Sequence, residues 1–144
     1  MATNIDKETV QGMIIKHRQL QLQAESYTQQ IGVIQASLEE HEKALTTMKA
    51  LENIEEGGEL LVSIGAGTAI YATLDRKDKV IVSFGGGVSA EKDLKSAIDI
   101  VTKRQKDLLE TQKRLAEAVS GVEAEIQKLE QNLQVVAAQM EHKG

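Results

Sequence analysis

In two long segments of the chain, mostly apolar residues recur at alternating steps of three and four without interruption. We call these positions the seam of each segment. This spacing, maintained over about six heptads, predicts coiled-coil helices rather than helices wrapped around a compact core. The chain contains no proline that would interrupt them. The first seam comprises Val10, Met13, His17, Leu20, Ala24, Tyr27, Ile31, Ile34, Leu38, His41, Leu45 and Met48, and the second comprises Leu94, Ile98, Val101, Gln105, Leu108, Gln112, Leu115, Val119, Val122, Ile126, Leu129, Leu133, Val136 and Met140.

The ends of both helices are marked in the sequence. Thr3 and Asp6 resemble a capping box, and a pair of glycines ends the first helix, which is predicted to cover residues 3–56. Asp93 is the predicted N-cap of the second helix, in the segment 92–142. Because the seams have nearly equal lengths, we expect an intramolecular antiparallel coiled coil, in which the residue numbers of facing pairs add to about 146.

Between the helices, residues 57–91 are rich in glycine and β-branched residues, and they nearly repeat themselves. Val62-Ser63-Ile64-Gly65-Ala66-Gly67-Thr68-Ala69 is followed by Val82-Ser83-Phe84-Gly85-Gly86-Gly87-Val88-Ser89. Each copy is an apolar run, a three-residue turn containing glycine and a second short run, which is typical of a β-hairpin whose turn needs positive φ. The sequence therefore predicts an α+β fold: a long antiparallel coiled-coil hairpin with two tandem β-hairpins inserted between its helices, all in one structural unit.

The predicted hairpins are incomplete as a sheet of their own. Four short strands leave open edges, and so small a sheet is barely stable alone. The apolar side chains of the strands must also bury one face, so we predict oligomerisation through pairing with the hairpins of other subunits. The candidate residues are Leu60, Val62, Ile64, Ile70, Leu74, Val80, Val82, Phe84 and Val88.

Apolar residues also occur outside the seams, towards the helix ends that lie far from the hairpins. They are Ile14, Ile15 and Leu22 on the first helix and Val135, Ala137 and Ala138 on the second, which the antiparallel register brings close together. An exposed apolar patch of this kind indicates a binding surface. Alternatively, such helix ends fray and tolerate stray apolar residues, or they self-associate.

Residue patterns for catalysis and metal binding are missing. Cysteine is absent, and the three histidines, His17, His41 and His142, lack the spacing of metal ligands. Gly65 and Gly67 begin a dinucleotide-like pattern, but a third glycine is missing and a strand follows where phosphate binding needs a helix. We therefore expect no enzyme activity, no cofactor and no metal.

The charge and hydropathy of the sequence argue against nucleic acid and membranes as partners. The net charge is −5, and Lys and Arg are scattered among acidic residues without the basic stripe of a nucleic-acid binder. Neither a signal peptide nor a membrane-spanning run is recognisable. The sequence therefore predicts a cytoplasmic protein that binds neither nucleic acid nor membrane.

With its order of helix, two tandem hairpins and helix, the chain resembles the archaeal type of prefoldin alpha subunits over essentially its full length. The most specific stretches are Leu61–Gly67, Lys79–Val88 and Glu91-Lys92. Members of this family typically carry proline at the position of Ser63, a departure that affects strand detail only. Beta-class subunits have one hairpin, so the duplicated hairpin indicates the alpha class.

The resemblance implies a chaperone that holds unfolded protein without hydrolysing nucleotide. Two alpha-class and four beta-class subunits would assemble through their hairpins, bind unfolded client proteins at the coiled-coil tips and transfer them to a group II chaperonin. Weak contacts from several arms would then add as avidity. The residues that we expect to contact clients are Val10, Met13, Ile14, Ile15, Val135, Val136 and Met140.

Two other interpretations stay open. One is a purely structural coiled-coil scaffold, assembled through the β-region and without client binding. The other is a filament-forming protein, since open hairpin edges propagate into fibres when a closing partner is missing. An enzyme is a more remote alternative, because it would need a cofactor or nucleotide site for which the sequence offers no residues.

Overall fold

The computed structural model describes residues 7–141 of the chain. Its elements are α1 (Lys7–Leu51), β1 (Glu59–Gly65), β2 (Thr68–Thr73), β3 (Lys79–Gly85), β4 (Val88–Asp93) and α2 (Leu94–Glu141). The predicted fold, two long helices with two antiparallel β-hairpins between them, is confirmed. The predicted first helical residue, Thr3, its capping box and the predicted last residue of the second helix lie outside the described residues.

Internal contacts divide the chain into two compact units, to which both helices contribute. The helical unit comprises the described residues up to Ala36 together with those from Leu109 onward. The hairpin unit comprises Ser37–Leu108. The expectation of a single structural unit stays a prediction.

In the helical unit, α1 and α2 pack antiparallel along the predicted seams. Leu20 and Val122 are buried there. The Nε2 atom of His17 lies 2.9 Å from Oε1 of Glu130, and the residue numbers of this pair add to 147. The predicted register is therefore confirmed in this unit to within one residue.

The core of the hairpin unit joins both helices to the second hairpin. The buried cluster consists of Leu45, Met48, Val82, Leu94 and Ala97. Beside it, Gln105 donates from Nε2 to Oε2 of Glu42 at 2.8 Å, and these residue numbers also add to 147. Burying one large apolar side chain is worth about 1.5–3 kcal/mol, so this small cluster fixes the second hairpin to the coiled coil.

The predicted seam residues are buried or half-buried throughout, with one exception. Met140, near the end of α2, is 54% exposed. The polar seam residues follow the same rule: His17, His41, Gln105 and Gln112 are all half-buried. Heptad spacing alone therefore identifies the contact faces of both helices.

Helix α1 ends at Leu51, before the predicted end at Glu56. Beyond it the amide of Glu52 donates to the oxygen of Lys49 at 3.3 Å and that of Asn53 to Ala50 at 3.1 Å, which is the tighter three-residue pattern of a fraying helix end. The three glutamates at positions 52, 55 and 56 explain the early end of α1, because negative charge is unfavourable at the carboxyl end of the helix dipole.

Each hairpin is a separate two-stranded antiparallel sheet, and the two have the same register pattern. In the first, Gly65 lies opposite Thr68, so the loop contains two residues, Ala66 and Gly67, and not the three predicted. A bulge after Ser63 accommodates the additional residue. Gly65, Ala66 and Gly67 have φ values of 104°, 51° and 70°. Glycine adopts such positive values at little steric cost, and Ala66 is the one residue of the three that is not glycine.

The predicted N-cap at Asp93 is confirmed. Its carboxylate accepts hydrogen bonds from the hydroxyl and the main-chain N–H of Ser96. The Ser96 side chain, in the first place, holds the pKa of the Asp93 carboxyl below its ordinary value, with further contributions from the Ser96 amide and Lys79. Asp93 is therefore both the last residue of β4 and the N-cap of α2.

Candidate interaction surfaces

The clefts and charged clusters of the described residues do not form a metal centre. No group of three or more His, Cys, Asp and Glu side chains converges among them as metal ligands would. Open clefts are lined by Glu39, Glu42, Lys43, Thr46 and Thr47, and by Lys16, Leu20, Glu125, Lys128, Leu129 and Asn132. Neither contains a histidine or a buried acid that could activate a nucleophile. No described helix is apolar enough over a sufficient length to cross a bilayer.

The strand residues predicted to mediate oligomerisation fall into three groups. Five are exposed in the single chain: Val62, Ile64, Ile70, Phe84 and Val88. Leu60, Leu74 and Val80 are half-buried. Val82 is buried in the core of the hairpin unit, so its side chain already has partners within its own chain.

The two hairpins differ in how the chain covers them. Val62 and Val82 occupy equivalent positions in the repeat, each two residues before the bulged residue of its hairpin. Val62 is 42% exposed, whereas Val82 is 7% exposed because it packs among Leu45, Met48 and Leu94. The corresponding face of the first hairpin therefore offers uncovered apolar surface.

Exposed apolar residues also lie on the opposite faces of the strands, where none was predicted. Leu61 pairs with Tyr71 across the first hairpin, and Ile81 lies on the equivalent face of the second. These side chains are 67%, 75% and 77% exposed, respectively. The sequence did contain a signal for a second apolar face, namely the unbroken apolar runs Leu60–Val62 and Val80–Val82. Strands that are buried on both faces lack the alternation of apolar and polar residues that is typical of strands with one exposed face. We call the exposed strand residues the hairpin surface: Leu61, Val62, Ile64, Ile70, Tyr71, Ile81, Phe84 and Val88.

Helix α2 helps to position the aromatic ring of Phe84. The guanidinium of Arg104 lies 5.3 Å from the ring centre and the ammonium of Lys92 lies 5.9 Å from it. Arg104 also donates to the main-chain oxygen of Ser83 at 2.8 Å. These contacts hold a half-exposed ring in place at the hairpin surface.

The residues predicted to contact clients lie on α1 and α2 in the helical unit. Val10, Met13 and Val136 are half-buried seam residues. The others are exposed, and we call them the terminal apolar cluster: Ile14, Ile15, Val135 and Met140. The antiparallel register, shown by the contact between His17 and Glu130, brings the two helices' exposed residues to the same end of this unit.

Known proteins provide an independent comparison. A family profile described as Prefoldin subunit matches residues 20–139. The chain is 38% identical over 103 residues to prefoldin subunit alpha of Methanothrix thermoacetophila, covering 72% of this chain and 67% of that protein. It is 31% identical over 146 residues to prefoldin subunit alpha of Methanospirillum hungatei, covering 100% of this chain and 97% of that protein.

A solved structure agrees with this comparison. The filamentous PFD from Methanocaldococcus jannaschii, determined by cryo-EM, is similar with a TM-score of 0.68 and 29% sequence identity. The similarity covers 78% of this chain and 93% of that chain. Two long helices with two hairpins between them are therefore common to both.

Proposed function

The chain belongs to the prefoldin family, whose members are non-enzymatic chaperone subunits that form hetero-oligomers, and from this premise we propose that it is an alpha subunit of an ATP-independent holdase. In this proposal the subunit binds unfolded or nascent protein at the ends of its helices. It assembles with beta-class subunits through its hairpins and transfers its clients to a group II chaperonin.

Assembly through the hairpins is supported by what the single chain leaves uncovered. Both faces of the first hairpin carry exposed apolar residues, among them Leu61 and Tyr71 on one face and Val62 and Ile70 on the other. Its two strands also have no further strand beside them among the described residues. Hairpins of neighbouring subunits would bury this area and pair these edges. We propose two alpha and four beta subunits per complex.

Client holding is supported by the terminal apolar cluster, and this is the observation that carries the proposal. Ile14 and Ile15 lie outside the seam and are more than half exposed, as is Val135. Water-exposed apolar groups of this size are unfavourable unless they bind something. They match the apolar side chains that an unfolded client exposes. Individually weak contacts from several subunits would add as avidity while each still dissociates readily. We also propose a cytoplasmic location.

A light-scattering experiment tests the proposal. The chain is assembled with a beta-class partner, and a chemically unfolded protein is diluted into the purified complex without ATP. Suppression of aggregation near stoichiometric amounts supports the holdase, and normal aggregation beside an intact complex refutes it.

Variants localise the activity. Replacing Ile14, Ile15 and Val135 by serine is expected to weaken holding while the mass of the complex stays unchanged. The matched control replaces Ala116, Ala124 and Gln127, which are exposed on α2, by serine. Unchanged holding in the first variant would exclude the terminal apolar cluster as the client site.

A second candidate is a filament formed by this chain alone. The observation that favours it is the similar solved structure, which is that of a filamentous protein. Electron microscopy of the purified chain without any beta-class subunit decides between the two. Fibres would support self-assembly through the hairpin surface, and a small soluble species would favour the hetero-oligomer.

A further inference from the structure

One stretch of α1 in the helical unit carries almost no charge. Residues 19–36 contain a single charged residue, Glu25, whereas the chain's overall charged content of 27% would place about five in a stretch of this length. The register places residues 111–128 of α2 opposite, and that stretch contains Lys113, Arg114, Glu117, Glu123, Glu125 and Lys128. Charge is therefore depleted on one helix only, as it is at the centres of protein interfaces.

Exposed apolar residues lie in one line along this helix. Ile15, Leu22 and Val33 are separated by seven and eleven residues, which are close to two and three whole helical turns. All three are exposed, Val33 by 72%. The buried seam residue Leu20 is on the other side of the helix. The line therefore faces away from the coiled-coil contact.

Between Leu22 and Val33 the polar residues along this line are neutral amides and a hydroxyl, whereas Arg18 lies beside the line between Ile15 and Leu22. Gln30 donates from Nε2 to Oγ of Ser26 at 3.3 Å, and Gln29 lies beside them, exposed. A glutamine amide has two donors and an acceptor with two lone pairs, so it can bond further groups. We call the following set the uncharged stripe: Ile15, Leu22, Ser26, Gln29, Gln30 and Val33.

We propose that the uncharged stripe binds an extended segment of an unfolded client chain. The main-chain N–H and C=O groups of a folded partner are already paired, whereas those of an unfolded segment are free to bond to the amides of Gln29 and Gln30. Its apolar side chains would contact Leu22 and Val33. A segment rich in charge would be disfavoured, because the charges beside the stripe, Arg18 and Glu25, offer only one partner of each sign.

The length of the uncharged stripe and its position next to the terminal apolar cluster are consistent with an unfolded segment as its ligand. From Ile15 to Val33 the stripe is about 27 Å long at 1.5 Å per residue, which about eight extended residues would span. Ile15 also belongs to the terminal apolar cluster, so one client chain that passes beside Arg18 can contact both surfaces. The inference rests on the proposed holdase function and extends the client site along α1.

Photo-crosslinking tests the occupant directly. The photoreactive residue p-benzoylphenylalanine replaces Gln29, Ile14 or, as a control on α2, Gln127 in the assembled complex. Each complex is irradiated with reduced, carboxymethylated α-lactalbumin, which is permanently unfolded, or with the native form. We expect adducts from positions 29 and 14 with the unfolded form only, and none from position 127.

The other outcomes separate the two hypotheses. Adducts from position 14 without any from position 29 would overturn the stripe and leave the holdase intact. Adducts from neither position would overturn both. Adducts of position 29 with another subunit would show that the stripe is a subunit interface, which also overturns the inference.

A pair of charge variants measures the contribution of the stripe. Leu22→Lys with Val33→Lys introduces two charges into it, and Ala116→Lys with Gln127→Lys introduces two charges at the same eleven-residue spacing on α2. The stripe variant is expected to raise the amount of complex needed for half-suppression of aggregation by about threefold to tenfold. The control is expected to leave it unchanged. Equal effects of the two variants would refute the stripe.

Discussion

Arg104 of α2 donates a hydrogen bond to the main-chain oxygen of Ser83 in β3 at 2.8 Å. The same guanidinium lies 5.3 Å from the centre of the Phe84 ring. Val82, the preceding residue, is buried between the helices. Three consecutive residues of β3 therefore contact the coiled coil. This attachment distinguishes two hairpins that are otherwise alike in sequence and register.

Replacing Arg104 by methionine is expected to loosen the second hairpin. The change removes a charged donor to a main-chain oxygen and a cation beside the Phe84 ring, and we expect a loss of about 1–2 kcal/mol in the free energy of unfolding. Denaturant unfolding measures the loss, and amide hydrogen exchange locates it in β3. Arg114→Met, at an exposed position of the same helix, is the control and should have almost no effect. Equal losses from both variants would contradict the attachment.

The equivalent valines Val82 and Val62 are expected to respond oppositely in two assays. Val82→Ala removes buried methyl groups and should lower the free energy of unfolding of the single chain by about 1–2.5 kcal/mol. Val62→Ala should leave the stability of the single chain nearly unchanged but weaken its assembly with beta-class subunits. Thermal unfolding and analytical ultracentrifugation measure the two quantities. Intact assembly of the Val62 variant would remove this residue from the hairpin surface.

Much of the fold could be predicted from the sequence because it depends on local patterns. The contact face of each helix follows from heptad spacing, and the hairpin turns follow from glycines that adopt positive φ. The register within each unit follows from the equal lengths of the two seams. The pairs of His17 with Glu130 and Gln105 with Glu42 confirm it.

Local sequence patterns could not predict which of the two hairpins packs against the helices. The repeats containing Val62 and Val82 are too similar for their sequences to distinguish a covered hairpin from an uncovered one. The difference arises from tertiary contacts, such as the one between Arg104 and Ser83. The exposed Leu61, Tyr71 and Ile81 were missed because only one apolar face was expected on each strand.

The turn residues Ala66 and Gly86 predict a second matched pair of variants. Both have positive φ, 51° for Ala66 and 59° for Gly86, which L-residues adopt at a cost of about 1 kcal/mol. A Cβ atom at Gly86 would meet no atom within 4 Å, so Gly86→Ala should destabilise through the backbone alone, by about 1 kcal/mol. Ala66→Gly should stabilise its hairpin by less than that, because glycine also gains freedom in the unfolded chain. Chemical denaturation of both variants would reveal effects of opposite sign. Effects of the same sign would refute this explanation.

The contact between Gln105 and Glu42 predicts a charge-dependent variant. Gln105→Glu replaces a donor, 2.8 Å from a carboxylate oxygen, with a second carboxylate, so the free energy of unfolding should fall by about 1 kcal/mol or more. Adding salt should reduce the loss, because screening weakens the repulsion. Glu42→Gln in the same chain should restore most of the stability. A double-mutant cycle without coupling would contradict the contact.

The cap at Asp93 predicts the pH dependence of the start of α2. Hydrogen bonds donated by Ser96 lower the pKa of this carboxyl from its ordinary 3.8, so the ionised form favours the folded helix. The stabilisation is fully present above the ordinary pKa and is lost as the pH falls through the lowered pKa. Amide exchange of the first turn of α2 should therefore be slow relative to the unfolded chain at about pH 7, and this protection should decrease below about pH 4. Asp93→Ala should remove the protection at both pH values. Asp93→Asn, which also caps helices but does not titrate, should keep it at both. An Asn variant that loses protection in acid as the natural chain does would show that another group is responsible.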